Sequence, residues 1–224
     1  MNKPAIPLKV KGVSSSVVTY LKNQIISGSL KPGQKLNEIV LSEQLGVSRP
    51  PLREAFRVLE SEHLVYTAPR KGAFVTDLSL KDLRDLYQVR EMIECYAIEL
   101  LKNVKKKKLL ELEFALKKAS SLEPPRDDLE KTMDYHKQFA EFHEALIRIA
   151  DNARLAGFYD VISSNLTRYQ LIYLYVPGSG IRSVAEHQRI FAKIKAGAYE
   201  EAKGLMKKHI YHTYNILSEK IRSK

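Results

Sequence analysis

The stretch from Leu36 to Val75 reads LNEIVLSEQLGVSRPPLREAFRVLESEHLVYTAPRKGAFV, and its local signals run in the order helix, tight turn, helix, β-hairpin. Asn37 has the chemistry of an N-cap, because its side-chain oxygen can accept from backbone N–H groups that a first helical turn leaves unpaired. Ile39, Val40 and Leu45 are expected to face inward from this short helix, and Gly46 can adopt the left-handed backbone that ends it. A second helix is expected from Ser48, with Pro50 and Pro51 at positions where a missing N–H costs little. At about 100° per residue, Leu52, Ala55 and Leu59 share one arc while Arg49 and Arg53 project from another. The runs LVYT and AFVT are β-rich and flank APRKG, which predicts a hairpin tipped by Arg70, Lys71 and Gly72.

Helix, turn, helix and hairpin in this order describe a winged helix-turn-helix. Its second helix is of a size to enter the major groove of double-stranded DNA, where Arg reads guanine O6 and N7 through two hydrogen bonds, and a basic glycine-containing tip can come close to the adjacent backbone. The alternative is a small packed or protein-binding domain; the Arg49/Arg53 pair and the basic tip at the right offset favour DNA. Upstream, a helix is expected over Ser14 to Ser27, with serine caps and Val17, Val18, Leu21, Ile25 and Ile26 on its core side. Gly28 ends it, and a turn follows at Pro32 and Gly33. Residues 1–12, with two prolines and no period, read as a flexible arm. The DNA-binding domain is thus placed at 13–78.

After Asp77 to Ser79 the strand signals cease. Apolar spacing predicts helices over Leu80–Leu101, Leu109–Ser121 (stopped by Pro124 and Pro125), Asp127–Ala150, Asn152–Val176, Ile181–Ala196 and Tyr199–Ile221. Leu83, Leu86, Tyr87, Met92, Ile93, Tyr96, Ala97 and Leu100 are the apolar positions of the first. Six helices without strands predict an antiparallel bundle over 79–224, so the whole chain is expected to be mainly α. The net charge of +11 does not single out the reading head: residues 1–78 hold 11 Lys and Arg against 6 Asp and Glu, and residues 79–224 hold 26 against 20. Lys105 to Lys108 is read as solvated surface and Cys95 as a small buried hydrophobe. No run of 18 apolar residues and no hydrophobic N-terminal core occurs, so a cytoplasmic protein with no membrane partner is expected.

His143 in EFHEAL, His187 in SVAEHQRI and His209 in LMKKHIY come from three separate helices, each beside apolar residues. Neutral imidazoles from different helices can meet in a bundle core and hold a divalent transition metal such as zinc, nickel or manganese. Taken alone, each is more often an ordinary half-buried histidine, and the three can also serve as hydrogen-bond donors to an organic ligand. Arg90 falls on the inward side of its helix, either as a fork for a ligand carboxylate or as the partner of Glu94 one turn on. Arg168 and Tyr169 are further candidates for the effector pocket, with Tyr173 beside them.

The segment from Val17 to Thr76, with IISGSLKPGQKL, LSEQLGVSRPPLREAFRVLE and APRKGAFV, resembles the DNA-binding domain of the GntR family of bacterial transcription regulators. The resemblance implies base and phosphate contacts at Arg49, Arg53 and Gly72. Two positions depart from it: Ile39 stands where relatives often carry a DNA-contacting Arg, and Pro50 replaces a hydroxyl-bearing residue. One or two fewer contacts per half-site are expected. From about Leu86 to His212, AEFHEALIRIADNARL and AEHQRIFAKIKAGAYEEAKGLMKKHI resemble the all-helical FCD effector-binding domain of the FadR subgroup. That resemblance implies an Asp and three histidines that bind a metal, which helps to hold a carboxylate-bearing metabolite. The histidines fall on His143, His187 and His209, and Phe139 replaces the Asp. The expected function is a homodimeric, ligand-responsive regulator of a DNA operator, a repressor released or modulated by a small carboxylate. The alternatives are a regulator for which the metal is itself the signal and, more distantly, a metal-dependent hydrolase; no glycine-rich phosphate loop or nucleophile motif occurs, and no enzyme is expected.

Overall fold

The computed structural model describes residues 11–120 and 129–223, and the chain divides after Asp77 into two compact units. In the first, α1 (Lys11–Ile26) precedes β1 (Lys35–Leu36), α2 (Glu38–Leu45), α3 (Arg49–Ser61), β2 (Val65–Ala68) and β3 (Gly72–Val75). The strands form one antiparallel sheet in the order β1-β3-β2. Leu21, Leu52, Ala55, Leu59, Leu64 and Val75 are fully enclosed at its centre. Asn37 accepts from the backbone N–H groups of Ile39 and Val40, and Gly46 closes α2 at φ 62°. α3 carries its prolines in the first turn, and the Ser48 side chain makes no cap bond.

Four expectations need correction here. α1 starts at Lys11, before the serines, so these are not its caps; Ser16 and Thr19 instead bond back to carbonyls one turn earlier. The last two residues of the expected arm are therefore helical, and the rest of it lies outside the described residues. Ile39 and Val40 point outward, 49% and 44% exposed. Leu41 is the buried residue of α2, because this eight-residue helix has one covered side, packed on α3. Lastly, the turn at Pro32 and Gly33 leads into β1, a third strand too short for a periodic signal.

The second unit contains α4 (Leu80–Leu100), two short 3-10 turns (Leu101–Asn103 and Lys106–Leu109), α5 (Leu110–Ser120), α6 (Leu129–Ile149), α7 (Ala153–Leu174), α8 (Ser179–Lys195) and α9 (Tyr199–Arg222). The expected helix stops at Pro124 and Pro125 lie outside the described residues. α4 packs against α9, α7 and α6, and α8 against α9 and α5. Ser79 caps α4 by accepting from the N–H of Asp82, and Asn152 caps α7 in the same way. The buried stripe of α4 runs Leu83, Leu86, Tyr87, Arg90, Ile93, Glu94, Ala97 and Ile98, an i, i+3, i+4, i+7 series that contains two charges. Met92 and Tyr96, expected inside, lie off that stripe and are 65% and 51% exposed. Among the described residues no helix is long and apolar enough to cross a membrane.

Candidate functional site

On the first unit, α3 presents Arg49, Arg53 and Arg57 to solvent, and the hairpin presents Arg70 and Lys71. Arg49, Arg57, Arg70 and Lys71 have no side-chain hydrogen bond or ion pair among the described residues. Arg53 differs, since its Nε donates to Glu38 Oε2 at 2.9 Å. The acid in the first turn of α2 thus holds one arginine of α3 in place. At the tip, Lys71 N–H donates to Ala68 C=O at 3.0 Å across Pro69 and Arg70. Pro69 favours the first central position of such a turn, and the second needs positive φ, which Arg70 adopts at 63°. Left-handed backbone is uncommon for a side chain like arginine, and here it turns a guanidinium to the outside of the hairpin. Gly72 follows at φ 96°, with its α-carbon beside the Lys35 side chain of β1. Lys35 and Arg57 extend the cationic surface beyond the positions read from the sequence.

In the second unit, α6, α8 and α9 bring His143, His187 and His209 together in the bundle interior. Their ring centroids lie 4.7 Å (His143–His187), 4.6 Å (His187–His209) and 5.4 Å (His143–His209) apart. One nitrogen from each falls within 4.8 Å of the others. His187 Nε2 and His209 Nε2 are 3.2 Å apart. Two imidazoles sharing one tetrahedral ion at about 2.0–2.1 Å per bond would stand roughly 3.3 Å apart.

Two carboxylates outside the expected site residues orient this cluster. Glu94 Oε2 accepts from His143 Nδ1 at 2.8 Å, and Glu186 Oε2 accepts from His209 Nδ1 at 2.6 Å. Each bond assigns the hydrogen to Nδ1 and leaves the Nε2 lone pair available, an arrangement common behind metal-bound histidines. His187 has no such support: its Nδ1 is buried without a partner among the described residues, and its ring stacks on Phe142 at 4.4 Å. Arg90 donates from Nε to Glu94 Oε1 at 2.7 Å, and its Nη2 lies 3.0 Å from His143 Nε2. An ion and Arg90 would therefore compete for that lone pair.

Burial controls the charges. It pushes His143 down to about 4, against the attraction of Glu94, and drives His187 and His209 below the usual imidazole range as well. Burial also opposes ionisation of Glu94, but Arg90 and His143 outweigh it and hold that carboxyl at about 2. Near neutral pH the cluster is three neutral imidazoles beside one buried ion pair. This donor set suits a divalent transition ion, which binds deprotonated imidazole.

The histidines border a cavity of about 30 Å³, also lined by Arg90, His136, Phe139, Gln170, Tyr173 and Thr213. A water needs roughly 10–15 Å³ by this kind of measure, so the cavity has room for an ion or two waters. Phe139, in the place of the acid, contributes apolar wall. Its ring lies 4.6 Å from that of Tyr135, and both abut Gly180 at the start of α8, where an added Cβ would lie 2.5 Å from Tyr135 Oη and 3.3 Å from Phe139 Cζ.

Arg168 and Tyr169 require correction as effector-pocket candidates, because the structure does not bring them to this cavity. Tyr169 is fully buried, and its hydroxyl donates to Asp82 Oδ2 at 2.7 Å, tying α7 to the start of α4. Arg168 is likewise buried and donates to Asn165 Oδ1 at 3.4 Å. Tyr173, one turn beyond Tyr169, does line the cavity.

Comparison with known proteins decides the family. Residues 13–75 match the model of bacterial regulatory proteins of the gntR family, and residues 85–212 match the FCD domain, which alone spans more than half of the chain. The chain belongs to the GntR family. It is a bacterial DNA-binding transcription regulator with an FCD effector-binding domain, not an enzyme, and the hydrolase alternative falls with that result. The regulator is 30% identical over 200 residues to the HTH-type transcriptional regulator YdhC of Bacillus subtilis, covering 86% of this chain and 85% of that one. It is 27% identical to the gluconate operon transcriptional repressor of the same species over 77% of this chain and 70% of the repressor. Among solved structures, a GntR-type regulator from Rhodococcus sp. RHA1 superposes with a TM-score of 0.72 at 23% identity, over 91% of this chain and 96% of that one. McbR/YncC of E. coli does so with 0.71 at 22% identity, over 93% and 98%. These two likenesses describe the fold.

Proposed function

We propose that this regulator acts as a cytoplasmic homodimer on a two-fold symmetric operator, and that a small carboxylate bound beside a metal at His143, His187 and His209 modulates it. Arg49, Arg53, Arg70, Lys71 and Gly72 are assigned to DNA. Exposed guanidiniums on the second helix suit guanine edges and phosphates, and the tip suits the neighbouring backbone. Two copies are invoked because one winged helix reads only a few base pairs. Repression is the assigned sign, following the gluconate operon repressor among its relatives.

The observation that carries the ligand half is the convergence of three buried neutral imidazoles with Arg90, two of them backed by carboxylates. A divalent ion there supplies positive charge and open positions for a carboxylate, and Arg90, whose Nε is bonded to Glu94, supplies a further donor. A ligand changes DNA affinity only if it binds the DNA-competent and DNA-incompetent arrangements differently. Mobility shifts at fixed salt on a selected operator test the DNA half: Arg49→Ala and Arg53→Ala should each weaken specific binding by about 10- to 100-fold, from roughly 1–3 kcal/mol per bidentate pairing. Unchanged binding in both would refute the assignment.

A second reading, with the metal as the signal, is favoured by the small cavity, whose volume of about 30 Å³ suits an ion better than an organic acid. Calorimetry with zinc, nickel and manganese on metal-stripped protein, with His187→Ala as control, addresses both. Operator binding that responds to metal and ignores carboxylates would select the second.

A further inference from the structure

His136, Phe139 and His143 lie about one turn apart on one face of α6, and all three line the cavity. At about 1.5 Å of rise per residue, His136 sits roughly 10 Å along the axis from His143. His136 is buried, and its Nε2 donates to Gln170 Oε1 at 2.7 Å. That bond leaves the imidazole Nδ1 lone pair and the Gln170 amide hydrogens without a partner among the described residues, so the pair retains one acceptor and one donor. Burial lowers the pKa of His136, which keeps this station neutral. Phe139 occupies the interval between the two stations.

Charge separates the two ends. Arg90 is the single Lys or Arg among the described residues lining the cavity, and Glu94 already neutralises it at 2.7 Å. A carboxylate at the histidine end has Arg90 and, in the loaded protein, the ion. A second carboxylate near His136 would be desolvated with no cation beside it, whereas a hydroxyl or carbonyl there gains hydrogen bonds.

Resting on the metal-and-carboxylate reading above, we infer that the cavity selects a monocarboxylate bearing a neutral hydroxyl or carbonyl across a short aliphatic segment. The carboxylate binds at the histidine end, the neutral group is read by His136 and Gln170, and the hydrocarbon lies against Phe139. Since the cavity measures about 30 Å³, the ligand enters by displacing the Phe139 ring. His136 and Gln170 are then the residues that set specificity.

Three five-carbon acids provide the test, titrated by calorimetry into the zinc-loaded, full-length protein: 5-hydroxypentanoate, pentanoate and glutarate. The hydroxy acid should bind about tenfold tighter than either of the others, the scale of one gained hydrogen bond or one unpaired buried charge. His136→Leu and Gln170→Leu should each bring pentanoate and 5-hydroxypentanoate to within about twofold of each other, with zinc uptake unchanged. Glutarate binding tightest, a preference that survives both substitutions, or no binding by any of the three overturns the inference. If zinc uptake is intact in that case, the metal reading stands and the selectivity alone falls; a protein that takes up no zinc removes both.

Discussion

The DNA-facing surface and the histidine cavity both depend on guanidinium groups, yet they use them in opposite settings. Arg49, Arg70 and Lys71 stand in water without partners among the described residues, whereas Arg90 is 1% exposed and bonded to Glu94 and His143. An exposed cation contributes little to folding and keeps its charge available to an arriving polyanion. A buried one must be neutralised within the fold, so binding and stability there rest on the same atoms. Substitutions should separate function from stability in the first region and fail to do so in the second.

The sharpest challenge to that contrast is Glu94→Ala. It leaves the Arg90 guanidinium buried and unpaired, and should lower unfolding free energy by about 3–5 kcal/mol, read as a shifted urea midpoint; a loss under about 1 kcal/mol would show that water reaches the pair. Gly180→Ala comes next. The added methyl group pushes on Tyr135 and Phe139, and a cost of about 1–3 kcal/mol is expected from overpacking, with a smaller value meaning that the aromatic pair swings aside freely. On the exposed side, Lys71→Ala should leave the thermal midpoint unchanged and reduce the dependence of log affinity on log salt by about one unit for each phosphate that goes unneutralised. An unaltered slope would remove Lys71 from the DNA. The smallest effect belongs to Arg70→Gly, which relieves about 1–2 kcal/mol of left-handed strain against about 0.4–1 kcal/mol of added unfolded-chain entropy, for a small net gain in stability, while weakening operator binding. If stability fell instead, the turn would not be strained.

The same contrast explains what could be read in the sequence. The reading head was legible because its devices are local: an Asn cap, a left-handed Gly46, prolines in a first turn and a basic hairpin tip each act within a few residues. The histidines were legible because each interrupts an apolar face, and Arg90 with Glu94 does so within the stripe of α4 itself. What escaped was pairing between helices. Glu186 meets His209 across α8 and α9, and Gln170 meets His136 across α6 and α7, with no spacing to announce either bond. Tyr169 was misplaced for a related reason, since helical periodicity shows that a residue is inside but not which neighbour its hydroxyl finds. Ile39 and Val40 failed because α2 is covered on one side only, which tertiary packing decides.

α4 itself has a mechanical implication. Arg90 lies ten residues into the helix, roughly 15 Å from its first residue at about 1.5 Å each. Between Leu80 and the wing strand, which ends at Val75, stand only four residues, and the Ser79 cap and the Tyr169–Asp82 bond pin the near end. So short a connector has little slack. Inserting a few glycines after Asp77 would lengthen this connector, and a ligand response that depends on it should weaken at the operator while each unit keeps its own binding.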